Sequence, residues 1–363
     1  MEISLLPRCS CSVWSWRSAC LPINSRTRWI RAPRIRAGSR MAEPLLQVER
    51  LVVATRVAGR PVELIRGLDL ELSAGQALGL VGESGAGKSL TGLALMGLVP
   101  AGLSVTGGSR IVWRGRDLVG LKERQWRRLR GAELALIPQN PMTALNPTRT
   151  VGSQMRYLLR LHRGRDRRSA TAEAATALVR MGIPEADRLL GLYPHQLSGG
   201  MSQRVLIAMA MLSQPELLIA DEVTSALDVT TQAAILDQLA GLCRESATAL
   251  LLITHDLGVV ARSCRTVAVM YCGQIVEQGP VEPVFARPRH PYTAGLLAAV
   301  PGRTDHPDGR LQTIAGQVPD SAHRPPGCPF APRCPRATRR CTEHEPDRVA
   351  EQDRLFRCIH PLD

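Results

Sequence analysis

The feature that most constrains this chain is an eight-residue run, Gly82-Glu83-Ser84-Gly85-Ala86-Gly87-Lys88-Ser89, which matches the phosphate-loop pattern G-x-x-x-x-G-K-[ST]. Such a loop works between a buried strand and a helix, and both flanks are present. Ala77–Val81 is an apolar run leading into it, and Leu90, Leu93, Ala94 and Leu98 give the segment after it an apolar stripe. The glycines let backbone N–H groups turn inward around an anion, and the positive end of the helix dipole points at the same place. In this arrangement Lys88 reaches the β and γ phosphates of a nucleoside triphosphate, and the Ser89 hydroxyl ligates Mg2+. The alternative is a glycine-rich strand-to-helix turn with no ligand. Against it stands the composition: Lys88 and Lys122 are the only lysines among 46 basic residues, so Lys88 is not drawn from a lysine-rich background.

Around the loop the chain alternates short apolar runs with helical patterns, the mark of an α/β fold built on a mainly parallel sheet. Leu78–Val81, Leu134–Ile137, Leu217–Ala220, Leu250–Thr254 and Val267–Tyr271 are too short for core helices and suit strands buried on both faces. Met201, Val205, Ala208, Met209 and Leu212 fall at helical spacing, and Gln214-Pro215 ends that segment. Residues from about 150 to 196 carry helical signals only and read as an inserted helical subdomain. Beyond about 280, Pro, Arg, His and Cys become frequent and periodicity fades, which predicts a separate, loop-rich C-terminal appendage over 281–363. No internal repeat is visible.

The 363 residues allow about two domains. The net charge of +14 is uneven: residues 1–40 hold eight arginines against one acid, Glu2, leaving +7 for everything after them. That N-terminal segment has neither helical nor strand periodicity and reads as a disordered or mis-called extension, with the nucleotide-binding domain spanning 41–280. A scattered +7 is too weak a field to argue for nucleic acid. No apolar stretch approaches the roughly 18 residues that a helix needs to cross a bilayer.

Two more segments carry chemistry. Leu217-Leu218-Ile219-Ala220-Asp221-Glu222 is a buried run ending in two acids. Asp221 is placed to hold the metal through water, and Glu222 to polarise an attacking water as general base. Just upstream, Leu197-Ser198-Gly199-Gly200-Met201-Ser202-Gln203-Arg204 opens a helix and makes a second anion-binding terminus. One nucleotide does not need two such termini, but two subunits arranged head to tail do.

With that LSGG motif the chain resembles the ATP-binding subunits of ABC transporters, and more closely the peptide-importer branch with its dipeptide, oligopeptide and nickel relatives. The finer match rests on Ile137-Pro138-Gln139-Asn140-Pro141-Met142-Thr143-Ala144-Leu145-Asn146-Pro147, on Tyr193-Pro194-His195-Gln196, and on His290-Pro291-Tyr292-Thr293. The resemblance implies a P-loop cassette: a RecA-like core with a mainly parallel sheet, an antiparallel β subdomain and an inserted helical subdomain. It implies that Gln139 touches Mg2+ and the attacking water, and that His255 contacts the γ-phosphate. By the same resemblance Ser225-Ala226-Leu227-Asp228 crosses a dimer seam, while Leu197, Ser198, Gly199, Gly200, Met201 and Gln203 face the partner's ATP. Two departures stand out. No Phe, Tyr or Trp occurs between Trp29 and Trp113 to stack on adenine, although Thr55 and Arg56 lie in that region, and Val223 stands where proline is common.

Cys328, Cys334, Cys341 and Cys358 crowd the C-terminal region among prolines. Four thiolates suit a [4Fe–4S] cluster or tetrahedral Zn2+, and the wide gaps are unlike a zinc knuckle. Some importer ATPases with a similar tail carry the cluster. The expectations are therefore ATP, Mg2+ and an iron–sulfur cluster, with zinc as the alternative. The expected partners are a second ATP-binding subunit (paralogue or identical chain), two membrane permeases and, indirectly, a peptide-binding protein. The chain would sit peripherally on the cytoplasmic face of the inner membrane. Rival readings keep the machinery and change the cargo to nickel or another small solute, or make the chain a soluble cassette acting on ribosomes or DNA.

Overall fold

The apolar runs line up side by side. In the computed structural model, which describes residues 44–223, 229–300 and 313–363, an eight-stranded sheet begins with Val349–Glu351, Arg354–Phe356, Gln274–Pro280 and Thr266–Tyr271. It continues through Ala77–Val81, Ala249–Thr254 and Leu217–Asp221 to Leu134–Ile137. The last five strands of that order are parallel to their neighbours, and the first three join antiparallel at one edge. Alternate residues of each parallel strand serve opposite cores. Leu217 and Ile219 pack with Leu78, Leu80 and Leu251, whereas Leu218 and Ala220 pack with Ile137, Leu250 and Val269. Burial on both faces is the reason these strands read as unbroken apolar runs.

A smaller antiparallel sheet has the order Arg60–Leu72, Leu46–Val57, Arg110–Trp113 and Arg116–Asp117, with Ser104–Thr106 also paired to Leu46–Val57. Its apolar face shares a core with the phosphate-loop strand, and the buried Trp113 donates its indole N–H to Glu133 at 2.7 Å. Between the strands Leu134–Ile137 and Leu217–Asp221 the chain is helical: Val151–Arg163, Arg167–Arg180, Ala186–Leu190 and Gly199–Met211. The first two helices start where the sequence supplies caps, because the Thr150 and Asp166 side chains accept the N–H groups of Ser153 and Ser169.

The C-terminal region departs from the expectation of a separate appendage. Phe356 and Leu355 pair with Glu277 and Gln278, so the chain's end extends the main sheet. Glu277, with no exposed surface, accepts the N–H groups of Arg289 and His290 at 2.8 and 2.9 Å and forms an ion pair with Arg354. A single compact unit runs from Glu43 to Asp363, and a break at 280 would fall at the end of the strand Gln274–Pro280. The sequence missed this because the two added strands are three residues each and carry no alternation. Residues 1–40 and the segment Ser225-Ala226-Leu227-Asp228 lie outside the described residues. Among the described residues no helix is long and apolar enough to cross a membrane.

Candidate functional site

Four sequence-predicted groups leave the carboxyl ends of adjacent parallel strands, where open α/β sheets place their ligand crevices. The phosphate loop follows Val81, Gln139 follows Ile137, Asp221 and Glu222 end their strand, and His255 follows Thr254. The loop's backbone demands glycine. At Gly82 φ is 153° and a Cβ would lie 2.2 Å from the Met270 carbonyl oxygen, while Gly87, at φ 104°, caps the helix Lys88–Leu95.

Inside this frame the polar side chains are paired. Lys88 is buried, and its ammonium donates to the carbonyls of Gly82 and Glu83 at 2.8 and 2.9 Å. Burial holds its pKa below the ordinary lysine value, while the carboxylates of Glu222, Asp221 and Glu83 pull it back up. The Ser89 hydroxyl donates to Asp221 Oδ1 at 3.0 Å. Burial raises the Asp221 pKa, and the Ser89 hydrogen bond opposes the rise. Gln139 Nε2 donates to Glu222 Oε2 at 2.7 Å, and His255 Nδ1 lies 3.4 Å from Glu222 Oε1. Glu222 itself has φ 45°, a left-handed backbone that carries strain for a residue with a side chain, and its N–H is anchored on the Ile253 carbonyl at 2.9 Å. Asp256 accepts two N–H groups at the start of the helix Leu257–Ser263 and so fixes the backbone beside His255. Ser89, Asp221 and Gln139 offer oxygen donors, which fits a hard cation such as Mg2+ that completes its shell with phosphates and water.

The other predicted groups divide. Ser198 caps the helix Gly199–Met211 by accepting the Met201 N–H at 3.3 Å, and Ser198 and Gly199 are exposed, as a terminus offered to another molecule must be. Gln203 departs from expectation: it is buried within the chain, because its helix turns that position toward the core. Glu83 departs too. Its carboxylate is taken by Arg333 at 2.6 and 2.9 Å and its N–H by the Tyr292 hydroxyl at 2.8 Å, so both groups are committed to protein partners. Those two partners are what sequence reasoning missed. Tyr292 sits in the noted HPYT segment, but nothing in spacing ties it or Arg333 to a loop more than 200 residues upstream. Val223 is accommodated by burying its side chain in the core.

Cys328, Cys334, Cys341 and Cys358 line one cavity together with Phe330, Arg336 and His360. Burial pushes the Cys358 thiol up to about 11 and those of Cys328 and Cys334 upward as well. Among the described residues no three His, Cys, Asp or Glu side chains are grouped closely enough to hold a metal ion. Neither the expected [4Fe–4S] cluster nor its alternative, zinc, therefore gains support from the arrangement of these thiols.

Comparison with known proteins finds two family models along the chain. A family model described as ABC transporter matches residues 65–225, and one described as the oligopeptide/dipeptide transporter C-terminal region matches 276–341. The oligopeptide transport ATP-binding protein OppD of Haemophilus influenzae is 47% identical over 82% of this chain and 91% of its own length. The OppD protein of Salmonella typhimurium is 45% identical over 89% and 95%, and the dipeptide transport ATP-binding protein DppD of Bacillus subtilis 44% over 86% and 92%. Among solved structures, a dimeric ATP-binding cassette with bound ADP and Pi is similar at a TM-score of 0.59, covering 65% of this chain and 98% of that one at 23% identity. That likeness is one of fold.

Proposed function

The chain belongs to the ABC transporter family of ATP-binding subunits, and from that premise we propose that it hydrolyses ATP to drive import of dipeptides or oligopeptides through a membrane complex. The observation that carries the reading is the convergence of Lys88, the Ser89–Asp221 pair and the Gln139–Glu222–His255 set at the carboxyl ends of neighbouring strands. The match to the oligopeptide/dipeptide transporter C-terminal region supports peptides over nickel as cargo.

In this mechanism the loop N–H groups and Lys88 take the β and γ phosphates, Lys88 exchanging its loop carbonyls for phosphate oxygens. Ser89, Asp221 and Gln139 would hold Mg2+, which when bound would supply charge neutralisation at the phosphates. Glu222 accepts the proton of the attacking water, Gln139 orients the water beside it, and His255 steadies the transferred phosphoryl group. The exposed Ser198–Gly199 terminus completes the nucleotide of a second ATP-binding subunit. On the helix Val151–Arg163, Tyr157 and Leu161 lie one turn apart and remain more than half exposed, which suits contact with a permease. In this proposal the chain drives two permeases fed by a peptide-binding protein and would sit peripherally at the cytoplasmic face of the membrane. A [4Fe–4S] cluster in the C-terminal region is part of the same proposal: Cys328, Cys334, Cys341 and Cys358 line one cavity and would be its thiolate ligands.

The test replaces Glu222 with Gln in the assembled transporter. Turnover should drop about 100-fold or more, as loss of a general base predicts, with Mg·ATP still bound and peptide uptake into vesicles abolished. Unchanged turnover removes the base assignment. Uptake of a small solute but no peptide replaces the cargo.

A further inference from the structure

The phosphate loop is clamped from outside the cassette motifs. Glu83, its second residue, is held at three points: its N–H donates to the Tyr292 hydroxyl at 2.8 Å, its carbonyl accepts from Lys88 at 2.9 Å, and its carboxylate meets Arg333. The last contact is bidentate, Nη1 to Oε2 at 2.6 Å and Nη2 to Oε1 at 2.9 Å, the strong planar form of an arginine–carboxylate pair. The Arg333 side chain is only 3% exposed, and its remaining donors are spent on the carbonyls of Ala315 and Ile314 and on the Tyr271 hydroxyl. Tyr271, Tyr292 and Phe330 pack their rings together with centroids 4.6 to 5.4 Å apart, and the guanidinium lies 5.9 Å from the Tyr271 ring centroid. Such a group is built in place rather than resting on the surface.

We propose that Arg333 and Tyr292, from the C-terminal region, are positioning residues for ATP: they hold the first half of the phosphate loop in its phosphate-ready shape before nucleotide arrives. Neither touches the triphosphate; both act through Glu83. A loop ordered in advance loses less freedom on binding, so removal of the clamp weakens ATP capture. Chemistry at saturating ATP depends on Glu222, two strands away, and is left intact. In Arg333→Ala the Glu83 carboxylate is also left without its counter-charge beside an incoming polyanion, which acts in the same direction.

The inference rests on the phosphate loop being the ATP site, so the wild-type protein is measured first. Failure of wild type to bind Mg·ATP defeats that reading, and wild-type binding with unaltered variants defeats only this one. Three full-length variants are compared, Arg333→Ala, Arg333→Lys and Tyr292→Phe, by Mg·ATP titration calorimetry and by steady-state ATPase in the assembled transporter. For Arg333→Ala the Kd and KM for ATP should rise about tenfold, the size of one strong charged contact, with kcat within about twofold of wild type. Arg333→Lys keeps the charge without the fork and should fall between the two. Tyr292→Phe keeps the ring packing and should raise KM a few-fold, which preserves the test should Arg333→Ala fail to fold. An unchanged KM in Tyr292→Phe and in every Arg333 variant that folds overturns the proposal. So does a fall in kcat with melting temperature at constant KM, the pattern of a merely structural contact.

Discussion

His290 makes the C-terminal region sensitive to acid, by an amount that can be worked out. The ring is 1% exposed, its Nδ1 accepts the Tyr292 N–H at 3.0 Å, and the rings of Tyr292 and Phe330 lie against it. Burial drives its pKa from 6.5 to about 3. Between those values the unfolded chain takes up a proton that the folded chain refuses, so stability is full above the unfolded value and drains away as pH falls below it. With folded and unfolded values of about 3 and 6.5, going from pH 7 to pH 5 costs about 2 kcal/mol from this group alone. The perturbation is that pH drop, applied to wild type and to His290→Asn, which keeps a helix-capping acceptor but cannot titrate. Urea unfolding at pH 7, 6 and 5, with linear extrapolation, supplies the stabilities. The two proteins need not be equally stable at pH 7; on acidification the variant should lose about 2 kcal/mol less than wild type. Parallel losses in the two would refute the assignment of a neutral, proton-refusing imidazole.

Three further outcomes follow from the geometry. Gly82→Ala places a Cβ 2.2 Å from the Met270 carbonyl at φ 153°, so it should abolish Mg·ATP binding and lower stability by about 2 kcal/mol, read by calorimetry and thermal melting. Glu277→Gln leaves one of two buried N–H groups without an acceptor and leaves Arg354, whose side chain is 11% exposed, without its counter-charge. Chemical denaturation should show a loss of about 3 kcal/mol. Changing Cys328, Cys334, Cys341 and Cys358 together to Ser should remove bound iron and its visible charge-transfer absorption from anaerobically purified protein; wild type lacking both would dispose of the cluster.

What could be read from the sequence was whatever the physics keeps local. The parallel strands are buried on both faces, so each appears as an apolar run, and all five runs coincide with strands to within a residue at either end. The phosphate loop and the acidic strand end are contiguous, and their roles follow from backbone shape and charge alone. What was not legible is held by contacts across long sequence separations. Arg333 reaches Glu83 across 250 residues, and Glu277 gathers partners on separate stretches of chain. The strand Val349–Glu351 is exposed at all three positions, so hydropathy has nothing to report there. Gln203 misled because a polar residue beside a motif looks functional, while its helical phase turns it inward.

The resting site also shows how its affinity must be apportioned. Lys88, Ser89 and Gln139 are each already bonded to another protein group, and for the buried Lys88 such a partner is obligatory. Nucleotide entry therefore exchanges hydrogen bonds rather than adding them, and each exchange contributes little net free energy. The base offers scant compensation. At the strand end where an aromatic ring would stack, Thr55 bonds the Gly102 carbonyl, while Arg56 and Val57 are exposed. Stacking worth about 1–3 kcal/mol is absent there. The triphosphate must then carry most of the affinity through the unspent N–H groups of the loop and the helix dipole behind them. Affinity of that kind depends steeply on the loop keeping its shape, and so on the distant residues that hold it.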